Sequence, residues 1–283
     1  MKKGRFCLKK GYLTTTDKAR IYYEDRGEGI PLVFIPGHMC TSRFFKKNAE
    51  ALSQSYRVVT MDPRGFGNSS KVLHGNDVER NCDDIKELIE FLGLERVVLL
   101  GWSLGGSFVM MYAHKYHENH LGALGLIDAA LFPFSGAAWN TYRARDYNMD
   151  EWCGKYGVWI TDAELYYNNF IRRIDRGMTS EDREELGREI KKTPPWIGFA
   201  IHTDWCHTDT EQFLKELTVP VLLISGEEVS MGRHYKGQIR GCSELYEFET
   251  GGHAMFWTEC GHFNEILTNF TEHTVHREKE RRA

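Results

Sequence analysis

The chain predicts an α/β fold built on a mostly parallel sheet, and three observations carry that prediction. Short apolar runs recur at Pro31–Ile35, Arg96–Leu100 and Pro220–Ser225, the pattern of strands buried on both faces. Between them lie stretches of helical spacing, such as Ile85, Leu88, Ile89 and Leu92, which place one apolar face against a core. Finally, Gly101-Trp102-Ser103-Leu104-Gly105-Gly106 stands where a strand ends and a helix begins. Strands and helices that alternate in this way need a sheet covered on both faces.

Taken in order, Gly11–Thr16 and Arg20–Asp25 alternate about Asp17-Lys18 and predict an antiparallel hairpin at a sheet edge. The strand Pro31–Ile35 is followed by a helix over about Ser42–Ser53 and a strand at Tyr56–Met61. Turn-forming residues fill Asp62–Ser69. A helix over Asp83–Leu92 stops at Gly93. After the strand Arg96–Leu100 come a helix to about His117 and a strand at Leu121–Ile127. Strands at Pro220–Ser225 and Glu244–Glu249 complete an eight-stranded sheet, and Phe263, Ile266, Leu267 and Phe270 mark a last helix before a charged tail, His276–Ala283, expected to fray. Between Leu131 and Phe213 no strand pattern occurs, and five of the seven tryptophans fall there. That stretch predicts a helical insertion after the sixth sheet-forming strand of the core, with Ser180–Lys192 as a polar, solvated helix. The chain thus divides into a first core part (1–130), the insertion (131–213) and a second core part (214–283).

Composition narrows the functional classes. The net charge is −4, with 36 basic against 40 acidic residues, which gives no electrostatic reason to expect nucleic acid or an anionic membrane as a partner. No apolar run approaches the ~18 residues of a spanning helix, so membrane insertion is not expected. Lys9 and Lys10 interrupt the N-terminus before the apolar core of a secretory signal forms. Seven scattered cysteines without a C-x-x-C pair suggest free thiols in a reducing cytoplasm. A small-molecule substrate and a monomer or homodimer are the expected partners.

The glycines around Ser103 remove side chains that would clash in a tight strand-to-helix turn, which is the nucleophile-elbow pattern. Such a turn raises the serine at the carboxyl edge of the sheet and aims the first amides of the next helix at its oxygen. A serine hydroxyl needs a base within hydrogen-bond reach. Of the 12 histidines, His253 follows the last strand on a Gly251-Gly252 loop, at the same sheet edge as Ser103. The oxyanion requires two amides. Leu104, directly after the serine, supplies one; His38, leaving the strand Pro31–Ile35 by way of Pro36-Gly37, supplies the other, whatever its side chain does. Cys40, near that loop, reads as a small buried residue. Asp62 and Arg64 read as a buried polar clamp between loops. His202, Cys206 and His207 have partial metal-ligand spacing in the insertion but no further ligand, so packing is the simpler reading and no metal or cofactor is expected.

VFIPGH at 33–38, MDPRGFGNSS at 61–70, GWSLGG at 101–106, LTVPVLLISGEE at 217–228 and GGHAMFW at 251–257 together resemble the α/β-hydrolase superfamily, in particular its cofactor-free haloperoxidases and small carboxylesterases. The resemblance implies the fold predicted above, a helical lid in place of the insertion, and a Ser–His–acid triad. Two positions depart from it. Pro36 replaces a usual histidine. Val229 stands where the acid usually follows the strand ending near Ser225, which leaves two candidates: Glu228 on the same loop, and Asp128 at the end of strand Leu121–Ile127, where some members carry their acid. Both reach the correct edge; Asp128 is the first choice, its offset from Ser103 matching one helix plus one strand, and Glu228 is the alternative. The resemblance implies acyl transfer on a small to medium, largely apolar ester, lactone or thioester. A serine nucleophile argues against epoxide hydrolase chemistry, which uses a carboxylate there. Carbon–carbon bond hydrolysis with the same triad and a receptor-like role with little turnover are the alternatives.

Overall fold

Strands β1 (Lys9–Thr14), β2 (Arg20–Arg26), β3 (Pro31–Ile35), β4 (Arg57–Met61), β5 (Val97–Trp102), β6 (Leu121–Ile127), β7 (Val221–Ser225) and β8 (Ser243–Glu247) form one eight-stranded sheet in the order β1-β2-β4-β3-β5-β6-β7-β8. The computed structural model describes residues 8–142, 145, 149–226 and 229–282. Pairings of β2 with β1 and β4 are antiparallel and the remaining five are parallel, so β2 alone runs against the others. The central strands β3, β5 and β7 are buried along their whole length, as expected of strands covered on both faces.

Helices α1 (Lys46–Leu52), α2 (Val78–Phe91) and α3 (Leu104–Lys115) alternate with the first strands. α4 (Met149–Thr161), α5 (Ala163–Ile174), α6 (Ser180–Ile190) and α7 (Pro195–His207) lie between β6 and β7, and α8 (Val229–Gln238), α9 (Met255–Thr258) and α10 (Cys260–Arg282) follow. α1 packs against α10, and α2 against α3. The described residues between β6 and β7 include these four helices, and α7 is tied to the core: the Trp205 indole Nε1 donates to Ser107 Oγ on α3 and to the Ala130 carbonyl, both at 3.0 Å.

Several boundaries differ from the sequence reading for identifiable reasons. The helix expected over Ser42–Ser53 begins as a 3-10 turn, Ser42–Phe45, capped by Thr41 and buried through Phe44 and Phe45. α2 starts at Val78 rather than Asp83, because Asp77 accepts from the Arg80 amide at 2.7 Å and caps it there. β5 runs on through Gly101 to Trp102, since its ladder with β6 continues to the Trp102–Ile127 pair. The tail expected to fray instead continues α10 to Arg282, in keeping with the helix-forming Arg, Glu and Lys residues of that stretch. α8 carries no strong apolar pattern and was not anticipated.

Candidate active site

The sheet order brings the site together. The chain leaves β3 toward β4 on one side and returns to β5 on the other, so a crevice opens at the carboxyl ends of β3 and β5. Ile35 pairs with Gly101, so the turn after β3 and the elbow after β5 are neighbours. One strand along, Ile127 pairs with Trp102 and its carbonyl accepts from the Ser103 amide at 2.9 Å. The residue after Ile127 is Asp128, which therefore lies beside Ser103 at the same edge.

Ser103 is the N-cap of α3 with φ 55° and ψ −122°, and its side chain makes no capping bond. A non-glycine residue in this region carries strain on the order of 1–3 kcal/mol, held by the surroundings. The surroundings here are tight: a β carbon on Gly101 would lie 2.3 Å from the Gly105 carbonyl oxygen. Leu104 opens α3 and is fully buried, so its amide lies at the positive end of a 12-residue helix. Opposite, a β carbon on Gly37 would come within 3.0 Å of Ser103 Cβ. The turn leading to the His38 amide thus passes directly over the serine.

Asp128 is likewise a non-glycine residue at positive φ, 44°, and its side chain is inaccessible to solvent. One carboxylate oxygen accepts from the Gly226 amide at 2.8 Å. The other lies 2.7 Å from His253 Nδ1. A hydrogen bond there places the imidazole proton on Nδ1 and leaves Nε2 as the basic nitrogen. His253 itself sits in a short 3-10 turn, Gly252–Ala254, entered through Gly251 at φ 81°. Of the two candidate acids, Asp128 meets His253; Glu228 lies outside the described residues.

The His38 ring is buried and meets the insertion: its centroid lies 4.6 Å from the His202 ring, 5.7 Å from Phe170 and 5.9 Å from Trp159. His202 stacks on Trp152 at 4.8 Å, and Trp159 on Tyr166 at 4.2 Å. Rings from α4, α5 and α7 therefore pack against the His38 side chain after β3. Within the set considered for a metal, Cys206 Sγ approaches His202 Nδ1 at 3.6 Å while His207 turns to the Thr203 carbonyl. Among the described residues no group of three or more His, Cys, Asp and Glu is arranged to hold a metal. Cys40 is fully buried; desolvation pushes its thiol up, and Sγ donates to the His38 carbonyl at 3.2 Å. Asp62 accepts from the Ser42 and Asn68 amides at 2.7 and 2.8 Å, and Arg64 bridges Asp84 and Asp17. These groups brace the loops around the crevice.

Two residues that sequence reasoning passed over belong to the same constellation. The Gly226 amide holds Asp128, from the loop where the usual acid would stand. Trp102, the variable residue of the elbow, donates from Nε1 to the His253 carbonyl at 2.9 Å. Its apolar surroundings gave no cue beyond its place next to Ser103.

A model of the α/β hydrolase fold family matches residues 30–259, which span β3 through α9. The chain belongs to that family. This α/β hydrolase is 27% identical over 275 residues to a putative non-heme chloroperoxidase of Synechocystis sp. (strain ATCC 27184 / PCC 6803 / Kazusa), covering 89% of this chain and 95% of that one. It is 28% identical over 262 residues to a soluble epoxide hydrolase of Corynebacterium sp. (strain C12), covering 86% and 87%. Among solved structures, an esterase from Exiguobacterium antarcticum superposes with a TM-score of 0.84 at 25% identity, covering 92% and 98% of the two chains. The family makes the α/β hydrolase an enzyme of the hydrolase class. The relatives span several chemistries, so the reaction has to be argued from the crevice. No described helix is long and apolar enough to cross a membrane.

Proposed function

We propose that this α/β hydrolase is a serine hydrolase that works through an acyl-enzyme. The observation that carries the reading is the 2.7 Å contact between His253 Nδ1 and the buried Asp128 carboxylate, at the sheet edge that also bears the strained Ser103. Ser103 Oγ attacks the substrate carbonyl carbon while His253 Nε2 takes its proton. Asp128 holds the ring and stabilises the imidazolium that forms. The carbonyl oxygen becomes an oxyanion between the Leu104 and His38 amides. Collapse of the tetrahedral intermediate breaks the bond to the leaving group, which receives the proton from His253. Water, deprotonated by His253, then attacks the acyl carbon, and the Ser103 oxygen leaves with that proton.

A serine at the elbow favours acyl transfer over epoxide opening, for which the first attack would need a carboxylate nucleophile in this fold. Residues 131–213 act as a lid between the two core parts, and 15 aromatic residues in that stretch favour a largely apolar ester, lactone or thioester of small to medium size. No cofactor takes part. No disulfide joins the six described cysteines, which suits a cytoplasmic enzyme.

The test is covalent labelling with a fluorophosphonate probe. Wild type is expected to add one probe per chain at Ser103, and Ser103→Ala none. A folded wild type that resists the probe would remove the nucleophile from the argument. Turnover of p-nitrophenyl esters of increasing acyl length, compared with lactones, then defines the substrate class.

A further inference from the structure

The elbow residue before the nucleophile makes contacts that the triad itself does not require. Trp102 is 1% exposed, and its indole reaches sideways from the end of β5 to the His253 loop. Nε1 donates to the His253 carbonyl at 2.9 Å. The indole and imidazole centroids lie 5.2 Å apart at 44°. On its other sides the indole packs against Phe256 at 4.8 Å, edge to face, and against Phe44 at 5.6 Å. One side chain therefore touches His253 twice, at its backbone and at its ring.

His253 needs such support. It sits in the three-residue 3-10 turn Gly252–Ala254, where Gly251 before the turn and Gly252 opening it both have positive φ, 81° and 57°. Asp128 restrains the ring from Nδ1 and leaves the backbone of the turn to be held from elsewhere. Trp102 is rigidly placed, because its own backbone is paired with Ile127 in the sheet and the next residue is Ser103. A movement of the elbow is thereby transmitted to the histidine through one side chain.

We infer that Trp102 is a positioning residue that sets the approach of His253 Nε2 to Ser103, through the Nε1 hydrogen bond to the His253 carbonyl. This inference rests on the serine hydrolase reading above. It predicts an effect on acylation and little on substrate binding. A neutral hydrogen bond contributes about 0.5–1.5 kcal/mol net, so its loss is expected to slow acylation by roughly two- to tenfold.

Two replacements test it. Trp102→Phe keeps an aromatic ring and removes the donor. Incorporation of 3-benzothienylalanine at position 102 keeps the bicyclic shape and replaces only the N–H by sulfur, so it guards against a packing defect in the phenylalanine variant. Both are expected to lower the fluorophosphonate labelling rate and kcat for p-nitrophenyl butyrate by that factor, with KM within twofold of wild type. Phe44→Leu, which trims the far side of the indole, is the control for a merely structural role: it lowers Tm and leaves kcat within twofold. A readout independent of turnover is the downfield proton NMR resonance of His253 Nδ1–H. It is expected to be sharp in wild type and broadened by exchange in both replacements. Wild-type rates and a sharp resonance in the benzothienyl protein would overturn the inference. A wild type that does not label at all, with the resonance present, would instead overturn the hydrolase reading on which it rests.

Discussion

Replacing Asp128 by Asn is the most searching perturbation of this site. The carboxylate accepts from the Gly226 amide at 2.8 Å through one oxygen and faces His253 Nδ1 at 2.7 Å through the other. The asparagine carbonyl oxygen can still serve Gly226. Its NH2 group then points at Nδ1 and requires that nitrogen to accept, which moves the imidazole proton to Nε2, where the base is needed. The same side chain no longer compensates the imidazolium in a position closed to solvent. Unpairing a buried charge costs about 3–5 kcal/mol, and tautomer inversion in a triad of this type lowers kcat by about 10⁴. Asp128→Asn is therefore expected to reduce kcat for p-nitrophenyl butyrate by about 10³–10⁴, with KM within about threefold, because the ester does not touch Asp128. Asparagine is nearly isosteric, so Tm stays within a few degrees and the loss cannot be assigned to unfolding. Glu228→Gln, the companion variant, is expected to remain within twofold of wild type. A kcat for Asp128→Asn within tenfold of wild type, combined with a large loss in Glu228→Gln, would transfer the acid to the other loop. Loss in neither variant would refute the triad reasoning altogether.

Three further outcomes follow from the surroundings of the crevice. Gly37→Ala adds a β carbon 3.0 Å from Ser103 Cβ and 3.3 Å from the Trp102 carbonyl; the turn after β3 must give way, and kcat is expected to fall at least about tenfold with KM nearly constant, an unchanged kcat counting against the proposed role of the His38 amide. Hydrogen bonds from Arg64 hold the Asp17 carboxyl well below its ordinary 3.8. A carboxylate with a depressed folded pKa contributes stability above its unfolded pKa and loses it as the pH falls through the folded value, so the Tm advantage of wild type over Asp17→Asn is expected to hold at pH 7 and shrink below about pH 4; a constant difference down to pH 3 would contradict this. Glu185 on α6 pairs with Arg43 and Lys46, which follow the turn after β3, and partly exposed pairs contribute about 0.2–1 kcal/mol each. Glu185→Gln is expected to raise proteolytic cleavage within residues 163–190 by roughly two- to fivefold, and wild type at about 1 M salt should approach the variant; salt-independent cleavage would exclude an ionic latch.

How much of this was legible in the sequence depends on the range of the interaction that decides each feature. The strands and the elbow are decided locally. Buried strands need continuous apolar runs, and Gly101 is dictated by a carbonyl only four residues away, at Gly105, so residue type and spacing suffice. Helix starts were legible only where the cap was recognised: Asp77 begins α2 five residues before the apolar stripe suggested. The insertion read as helical because strand patterns stop there, but its packing onto Ser107 through Trp205 joins residues far apart in sequence and leaves no periodic trace.

The carboxylate that meets His253 belongs to this second kind. Asp128 and Glu228 both follow sheet strands, and the offset of Asp128 from Ser103, one helix plus one strand, favours it without deciding the choice. What brings Asp128 to His253 is the parallel register of β5 with β6, in which Trp102 faces Ile127, together with a backbone turn at φ 44° that aspartate adopts at some strain. Gly226 completes the arrangement: its amide reaches Asp128 from the loop that would otherwise carry the acid. The Gly226 amide and the Asp128 carboxylate are thus joined by a hydrogen bond that only the folded chain makes visible.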